Sequence, residues 1–282
     1  MKKKEIKKAV KEGYAKIAKG ENSCCLPLDS ACCQGSSFIE DLSNKIGYTE
    51  EELKAVPEGA NLGLGCGNPI AFASLREGET VLDLGSGAGF DCFLAANKVG
   101  DKGKVIGIDM TPEMIEKARE NAKKAGYGNV EFRLGEIENL PVSENSVDII
   151  ISNCVINLSP DKKAVFKEAF RVLKPGGRMM VSDIVLLHEL PDFIKNSIEA
   201  YIGCLSGAIL KRKYIKTIRE ADFIDVKILE EKVFPLEYLV SDPAAKAIIE
   251  SLKIPPEKIR EIASSVISIK VYGIKPNKMI KH

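Results

Sequence analysis

A glycine-rich turn between an apolar run and a helical segment indicates the chemistry of this chain more specifically than any other stretch. Residues 81–91 read Val-Leu-Asp-Leu-Gly-Ser-Gly-Ala-Gly-Phe-Asp. Glycine lets a backbone turn sharply and approach a ligand closely. Twenty residues after Gly89, a second apolar run ends in Asp109, and a carboxylate at that place suits a pair of ribose hydroxyls. The segment therefore predicts a nucleotide-binding α/β unit.

The spacing of the glycines separates two classes of nucleotide site. A dinucleotide site usually reads Gly-x-Gly-x-x-Gly and places a pyrophosphate on a helix N-terminus. Here the spacing is Gly-x-Gly-x-Gly, and Asp83 precedes the first glycine by two residues. A carboxylate there repels a pyrophosphate and attracts an ammonium group. The run resembles motif I of class I S-adenosylmethionine-dependent methyltransferases. A dinucleotide enzyme and a glycine turn without a ligand are the alternatives.

Apolar runs and amphipathic segments alternate from residue 80 onward, which predicts an α/β fold with helices on both faces of a sheet. The resemblance implies a doubly wound, seven-stranded, mostly parallel sheet of the Rossmann-like methyltransferase kind. The predicted strands are residues 80–84, 104–108, 129–134, 147–152, 178–183, 223–230 and 265–273.

We expect three parts along the chain. Residues 1–65 form an N-terminal helix and a Cys-rich cap, and residues 66–183 form the cofactor-binding core. Residues 184–282 supply a helical insert between the fifth and sixth strands, followed by the last strands and a lid. Within the first part, residues 3–19 carry apolar side chains at helical spacing among lysines, which predicts a surface helix with a solvated basic face.

Ligands of doubly wound sheets bind outside the C-terminal ends of the strands. In the methyltransferases that this chain resembles, the residues after the first strand hold the methionine part of the cofactor. Asp109 would then bind the ribose, and Met110, Glu136 and Ile137 would flank the adenine. The predicted cofactor-binding residues are Asp83, Gly85, Ser86, Gly87, Gly89, Asp109, Met110, Glu136, Ile137 and Asn153.

Three of the eight cysteines lie on segments that this fold can bring to one pocket. Cys66 follows a glycine-rich loop, Cys154 ends the fourth strand, and Cys204 lies in the helical insert. Each taken singly is more often a core residue, as we expect for Cys92, but together they indicate a thiol site. Zinc normally takes four ligands. Three soft thiolates suit a trivalent, pyramidal centre such as arsenite, whose lone pair can attack a methyl carbon.

Three segments around these cysteines closely resemble arsenite methyltransferases. They read Gly-Leu-Gly-Cys-Gly-Asn-Pro at 63–69, Ser-Asn-Cys-Val-Ile-Asn-Leu-Ser-Pro at 152–160 and Tyr-Ile-Gly-Cys at 201–204. The resemblance implies S-adenosylmethionine as methyl donor and arsenite, as its thiol adduct, as substrate. It also implies that Cys66, Cys154 and Cys204 bind As(III).

The resembled family also uses an N-terminal cysteine in a redox step, paired with the position of Cys66. This chain offers two doublets there, Cys24-Cys25 and Cys32-Cys33, and Cys32 or Cys33 is nearer along the chain. Some family members have one cysteine in this region, so the doublets depart from the pattern. A Cys-rich loop with adventitious metal affinity is the alternative, and the Cys-x-x-Cys spacing of a zinc knuckle is absent.

The composition excludes several other functions. Lys and Arg total 41 against 40 for Asp and Glu, which leaves no net field to attract nucleic acid. No apolar stretch approaches the roughly 20 residues of a membrane span, and the N-terminus lacks the apolar core of a signal peptide. We therefore expect a cytoplasmic protein, with reduced cysteines and a thioredoxin- or glutathione-type thiol as reductant.

Two rival functions remain from the sequence. One is a methyltransferase for a carbon or oxygen acceptor, which would need a base near residues 153–157. The only histidines, His188 and His282, do not lie there in sequence, and an arsenic lone pair needs no base. The other is a non-catalytic, thiol-based binder of arsenic or zinc.

Overall fold

Seven strands form one sheet at the centre of the protein. The computed structural model describes residues 3–20, 35–195, 197, 201, 204–233 and 255–277. The strands are β1 (Thr80–Leu84), β2 (Lys104–Asp109), β3 (Val130–Leu134), β4 (Val147–Asn153), β5 (Leu173–Leu186), β6 (Ile224–Val233) and β7 (Val266–Ile274). Their order is β3-β2-β1-β4-β5-β7-β6. Only β7 pairs antiparallel with its neighbours, so the prediction of a seven-stranded, mostly parallel sheet is confirmed.

Helices precede the sheet and connect its strands. They are α1 (Lys3–Lys19), α2 (Gly35–Lys45), α3 (Glu50–Lys54), α4 (Ile70–Ala73), α5 (Phe90–Val99), α6 (Pro112–Ala125), α7 (Lys162–Val172), α8 (Asp192–Lys195), α9 (Lys211–Arg219) and α10 (Pro256–Ser264). Their ends follow local sequence signals. Thr49 and Glu52 form a capping box at the start of α3, and Pro112 opens α6. Gly126 ends α6 in the left-handed conformation.

Alternate residues of the central strands face opposite sides of the sheet and bury two separate apolar clusters. Leu82 and Ile106 belong to the cluster that packs against α7 and α9. Val81 and Val105 belong to the cluster that packs against α4, α5 and α6. Burial on both faces accounts for the nearly continuous apolar runs in the sequence.

Strand β5 is longer than predicted, because it runs to Leu186 instead of residue 183. Its extension pairs with the start of β7, where Leu186 lies opposite Val266. The sequence pattern assigned these added residues to a helical insert. A pairing partner 80 residues later in the chain gives no local signal.

Helix α1 forms as predicted, but the expectation of a surface helix with a solvated basic face is wrong in part. Val10 is fully buried, in an apolar cluster that also contains Cys66, Cys154 and Cys204. Lys7 is only 24% exposed and pairs with two glutamates of the core. The apolar stripe of α1 therefore covers the C-terminal ends of the strands. Within the described ranges, none of the helices combines the length and apolarity that crossing a bilayer requires.

Candidate active site

A cavity opens at the C-terminal ends of the central strands, between the glycine turn and α1. Its space amounts to about 1070 Å³, including the open mouth. The turn is fastened to β2, because the amides of Gly85 and Ser86 donate to the carbonyl of Ile108 at 2.7 and 2.9 Å. The amide of Gly87 donates to the carboxylate of Asp109 at 3.0 Å. Eight of the predicted cofactor residues line the cavity, namely Asp83, Gly85, Ser86, Gly87, Asp109, Met110, Ile137 and Asn153.

Two buried carboxylates, Asp83 and Asp91, lie at the floor of this cavity. Burial, and then the neighbouring Asp91, raise the pKa of Asp83 well above its usual range. Burial raises the pKa of Asp91 to about 6, against the hydrogen bonds that it accepts from Tyr48 and Asn153. An approaching cation lowers the energy of both ionised carboxylates. The floor therefore suits the ammonium group of a methionine moiety.

Two predicted cofactor residues do not line the cavity. Gly89 begins α5 at a φ of 97°, and its α-carbon faces the rings of Phe93 and Phe132. Glu136 points outward with a side chain that is 54% exposed, and its carboxylate pairs with Lys7 at 2.8 Å. The position of Glu136 beside a bound adenine stays a prediction. The lysine that holds the side chain comes from α1, far away in sequence.

Asn153, at the end of β4, joins the cavity to the loop that carries Cys66. Its side-chain oxygen accepts from the amide of Cys66 at 3.0 Å. Its amide nitrogen donates to the carbonyl of Gly67 at 2.7 Å, to the Tyr48 hydroxyl at 2.9 Å and to Asp91 at 3.1 Å. One side chain thus fixes the Cys66 loop and belongs to the cavity wall.

The Cys66 loop packs so closely against the sheet that only glycine fits at one of its positions. A Cβ atom at Gly67 would overlap Ser182 Oγ of β5 and lie 3.2 Å from its Cβ. On β7, Ser268 Oγ donates to the carbonyl of Cys66 at 2.9 Å. These contacts hold the Cys66 thiol against the strand ends, 4.0 Å from Ser182 Oγ.

The three cysteines predicted to bind As(III) meet in one buried cluster. Cys66, Cys154 and Cys204 are 4%, 6% and 4% exposed. The sulfurs of Cys66 and Cys154 lie within 4.8 Å of each other. The Cys204 thiol donates to the carbonyl of Cys154 at 2.9 Å. Cys154 also lines the cofactor-sized cavity, so the cluster adjoins its wall.

The backbone and the surroundings of these cysteines are unusual. Cys154 and Cys204 adopt left-handed φ angles of 59° and 64°, which cost non-glycine residues free energy. Hydrogen bonds to Cys204 and Cys66, followed by burial, raise the pKa of Cys154 well above its ordinary value. Burial likewise raises the pKa of Cys66. Cys66 and Cys154 therefore rest as neutral thiols.

Three side chains without a predicted role also lie at this site. Tyr14 of α1 lines the cavity and contacts the Cys204 thiol, and its pKa is raised by burial and by that cysteine. Asp91 follows the glycine turn directly and could have been found as a second acid beside Asp83. A carboxylate oxygen of Asp183 lies within 4.8 Å of the Cys66 and Cys154 sulfurs.

Other predicted positions stand apart from the site. Cys92 is a buried residue of α5, as expected, and its thiol donates to Asp83 at 3.2 Å. His188 is exposed after β5. Cys24, Cys25, Cys32 and Cys33 lie outside the residues that the structure describes.

Comparison with known proteins agrees with this geometry. A family model described as a methyltransferase domain matches residues 75–222. An arsenite methyltransferase of Halobacterium salinarum is 49% identical over 79% of this chain and 59% of its own length. One of Aquipseudomonas alcaligenes is 38% identical over 79% of this chain and 64% of its own length. This chain thus spans less than two thirds of both relatives.

A solved structure extends the comparison to three dimensions. CrArsM, an arsenic(III) S-adenosylmethionine methyltransferase from Chlamydomonas reinhardtii, is 34% identical, with a TM-score of 0.62. The match covers 86% of this chain and 75% of that one. The glycine turn, the sheet order and the thiol cluster thus occur in a chain that belongs to the methyltransferase domain family and, within it, to the family of the arsenite methyltransferases.

Proposed function

We propose that this protein transfers a methyl group from S-adenosylmethionine to trivalent arsenic bound by Cys66, Cys154 and Cys204. The observation that carries the proposal is one buried cluster of three cysteines beside a cavity lined by the glycine turn. The relatives support the same substrate, since their names specify arsenite or arsenic(III).

The cavity fits the methyl donor. The hydroxyl of Ser86 in the glycine turn is buried without a hydrogen-bond partner, which a bound ligand can satisfy. Asp83 and Asp91 would hold the ammonium group, and Asp109 would accept from the ribose hydroxyls. When bound, S-adenosylmethionine supplies an electrophilic methyl group that the arsenic lone pair can accept.

The neutral thiols suit a neutral arsenical. Arsenous acid reacts with three thiols to give a trithiolate and three waters, and each thiol proton leaves on a hydroxide. A thiol adduct exchanges in the same way, and each proton leaves on the displaced thiol. The raised pKa values of Cys66 and Cys154 are compatible with this chemistry, because no free thiolate has to be released into the buried cluster.

The residues of the site contribute position and exclusion of water. A well-oriented pair of reactants can gain roughly 7–11 kcal/mol over a bimolecular encounter. Asn153 and Gly67 fix the Cys66 loop, while Val10 and Tyr14 of α1 cover the cluster. No side chain has to remove a proton from the arsenic lone pair.

Methylation raises arsenic to the pentavalent state, and two electrons must return it to the trivalent state. We propose that Cys66 and Cys32 or Cys33 supply them by closing a disulfide. An external thiol of the thioredoxin or glutathione class would then reduce that bond. A cytoplasmic location would keep this pair reduced.

A methyl-transfer assay with a radiolabelled donor, with and without arsenite, tests the proposal. We expect label in methylated arsenicals only with arsenite, and loss of transfer in Cys154→Ser and Cys204→Ser while calorimetry shows unchanged donor affinity. Cys92→Ser, which keeps a hydrogen-bond donor to Asp83, is the matched control and should retain transfer. Full turnover by Cys154→Ser would refute the trithiolate. Transfer to a carbon or oxygen acceptor, or arsenite binding without transfer, would support the two rival functions.

A further inference from the structure

The buried carboxylate of Asp183 is a chemical group that three-sulfur binding of arsenic does not use. Asp183 is fully buried at the C-terminal half of β5. One of its oxygens lies within 4.8 Å of the sulfurs of Cys66 and Cys154, which themselves lie within that distance of each other. The Cys204 thiol instead donates to the backbone carbonyl of Cys154 at 2.9 Å. Two sulfurs and one carboxylate oxygen therefore lie close enough to share a cation.

From this arrangement we infer that Cys66, Cys154 and Asp183 supply three ligands of a tetrahedral site for a thiophilic divalent cation of the zinc type, with water as the fourth ligand. The site rests on the geometry of the cluster alone. Only its consequence, that such a cation competes with arsenite for the same thiols, rests on the function proposed above.

The distances allow tetrahedral binding after small movements. Zinc binds sulfur at about 2.3 Å and carboxylate oxygen at about 2.0–2.2 Å, which places tetrahedral sulfurs about 3.8 Å apart. The separations of up to 4.8 Å among the Cys66 sulfur, the Cys154 sulfur and the Asp183 oxygen require each side chain to move by no more than about 1 Å. Rotation of a cysteine side chain provides a movement of that size.

Asp183 is held in one orientation by a surrounding shell of donors. One carboxylate oxygen accepts from Asn157 Nδ2 at 2.8 Å and from the amide of Ile184 at 3.0 Å. The other accepts from the Tyr214 hydroxyl at 2.9 Å, which leaves it one lone pair for a cation. Metal-binding carboxylates are usually oriented by such hydrogen bonds.

Charge also favours a dication here. Two thiolates neutralise it, and the ammonium of Lys162 interacts electrostatically with Asp183, which offsets the added carboxylate. Protons displaced from the thiols leave to solvent, and no electron is transferred. Arsenic would take three sulfurs in a pyramid, whereas the cation would take two sulfurs together with the carboxylate. Asp183 therefore distinguishes the two occupants.

Cobalt(II) is the probe for this site, because tetrahedral thiolate ligation gives it visible and near-ultraviolet bands. Cys24, Cys25, Cys32 and Cys33 are first replaced by serine in the full chain, so that they do not bind the metal. Titration without oxygen or added thiols should show one Co²⁺ per chain, displaced by Zn²⁺. Asp183→Asn should weaken Co²⁺ binding by at least about tenfold. Asp148→Asn, at a β4 carboxylate paired with Lys174, should change it by less than about twofold.

X-ray absorption of the zinc-loaded chain tests the ligands without a variant at Asp183. We expect two sulfur neighbours and two oxygen neighbours, one from Asp183 and one from water. A shell without a protein-like Zn–O distance, equal Co²⁺ affinity in Asp183→Asn, or absence of cobalt–thiolate bands would overturn the inference. None of these measurements needs methyl transfer, so failure of the proposed function leaves this result interpretable. With both in place, Zn²⁺ inhibits competitively against arsenite and leaves donor affinity unchanged.

Discussion

Replacement of Gly67 by alanine should weaken arsenite binding without changing the affinity for the methyl donor. The added Cβ would overlap Ser182 Oγ and lie 3.3 Å from Lys270 Cε. The loop cannot simply move away, because Asn153 and Ser268 hold the backbone of Cys66. Overpacking of this kind costs about 1–3 kcal/mol.

The same strain also affects Cys66, which directly precedes Gly67 and is a proposed arsenic ligand. If the loop shifts to relieve it, arsenite affinity falls by about 5–150-fold, the equivalent of 1–3 kcal/mol. If the loop holds, the free energy of unfolding falls by that amount instead. Gly67 does not line the cavity, so donor affinity should stay within about twofold of wild type.

A double-mutant cycle separates this steric effect from other causes. Arsenite binding is followed by ultraviolet absorption of the arsenic–thiolate bonds, and stability by urea unfolding. Ser182→Ala removes the overlapping oxygen and should restore most of the loss when combined with Gly67→Ala. Gly128→Ala is the control, because a Cβ there meets open space. Unchanged affinity and stability in Gly67→Ala, or no rescue by Ser182→Ala, would refute the reasoning.

Two further predictions concern the cavity. The folded-state pKa of Asp91, about 6, exceeds its ordinary value of 3.8. Ionisation of this carboxyl group therefore lowers the free energy of unfolding as the pH rises from 4 to 6. Between pH 4 and 7, the free energy of unfolding of Asp91→Asn should therefore rise relative to that of wild type by up to about 3 kcal/mol, measured by urea unfolding of the ligand-free protein. Parallel pH profiles of the two proteins would contradict this. Asp109→Ala should weaken donor binding about 10–100-fold, because a ribose acceptor that also accepts from Gly87 and Thr111 is lost. Unchanged donor affinity in calorimetry would remove Asp109 from the ribose site.

Local sequence signals were sufficient to predict the sheet and many of the residues that line the cavity. The apolar runs gave β1 through β4 within one residue at each end. The glycine spacing located the turn beside Asp109, since parallel strands place their C-terminal ends at one edge. Cys154 could be placed at that edge for the same reason.

The remaining features depend on contacts between distant segments. An amphipathic pattern shows that α1 buries one face, but not which surface receives Val10. Glu136 pairs with Lys7 of the distant helix α1, and such a pairing has no sequence signature. Asp183 looked like an ordinary residue of β5. Its proximity to Cys66 arises only when the glycine loop folds back onto the strand.

The left-handed backbone at Cys154 and Cys204 has an evolutionary consequence. A side chain in that conformation costs roughly 1–2 kcal/mol, a penalty that glycine escapes. A lineage selected for heat resistance alone would gain stability by replacing Cys154 and Cys204 with glycine. Variant libraries screened only for melting temperature should therefore lose cysteine at these two positions. A parallel activity screen is needed to retain both residues.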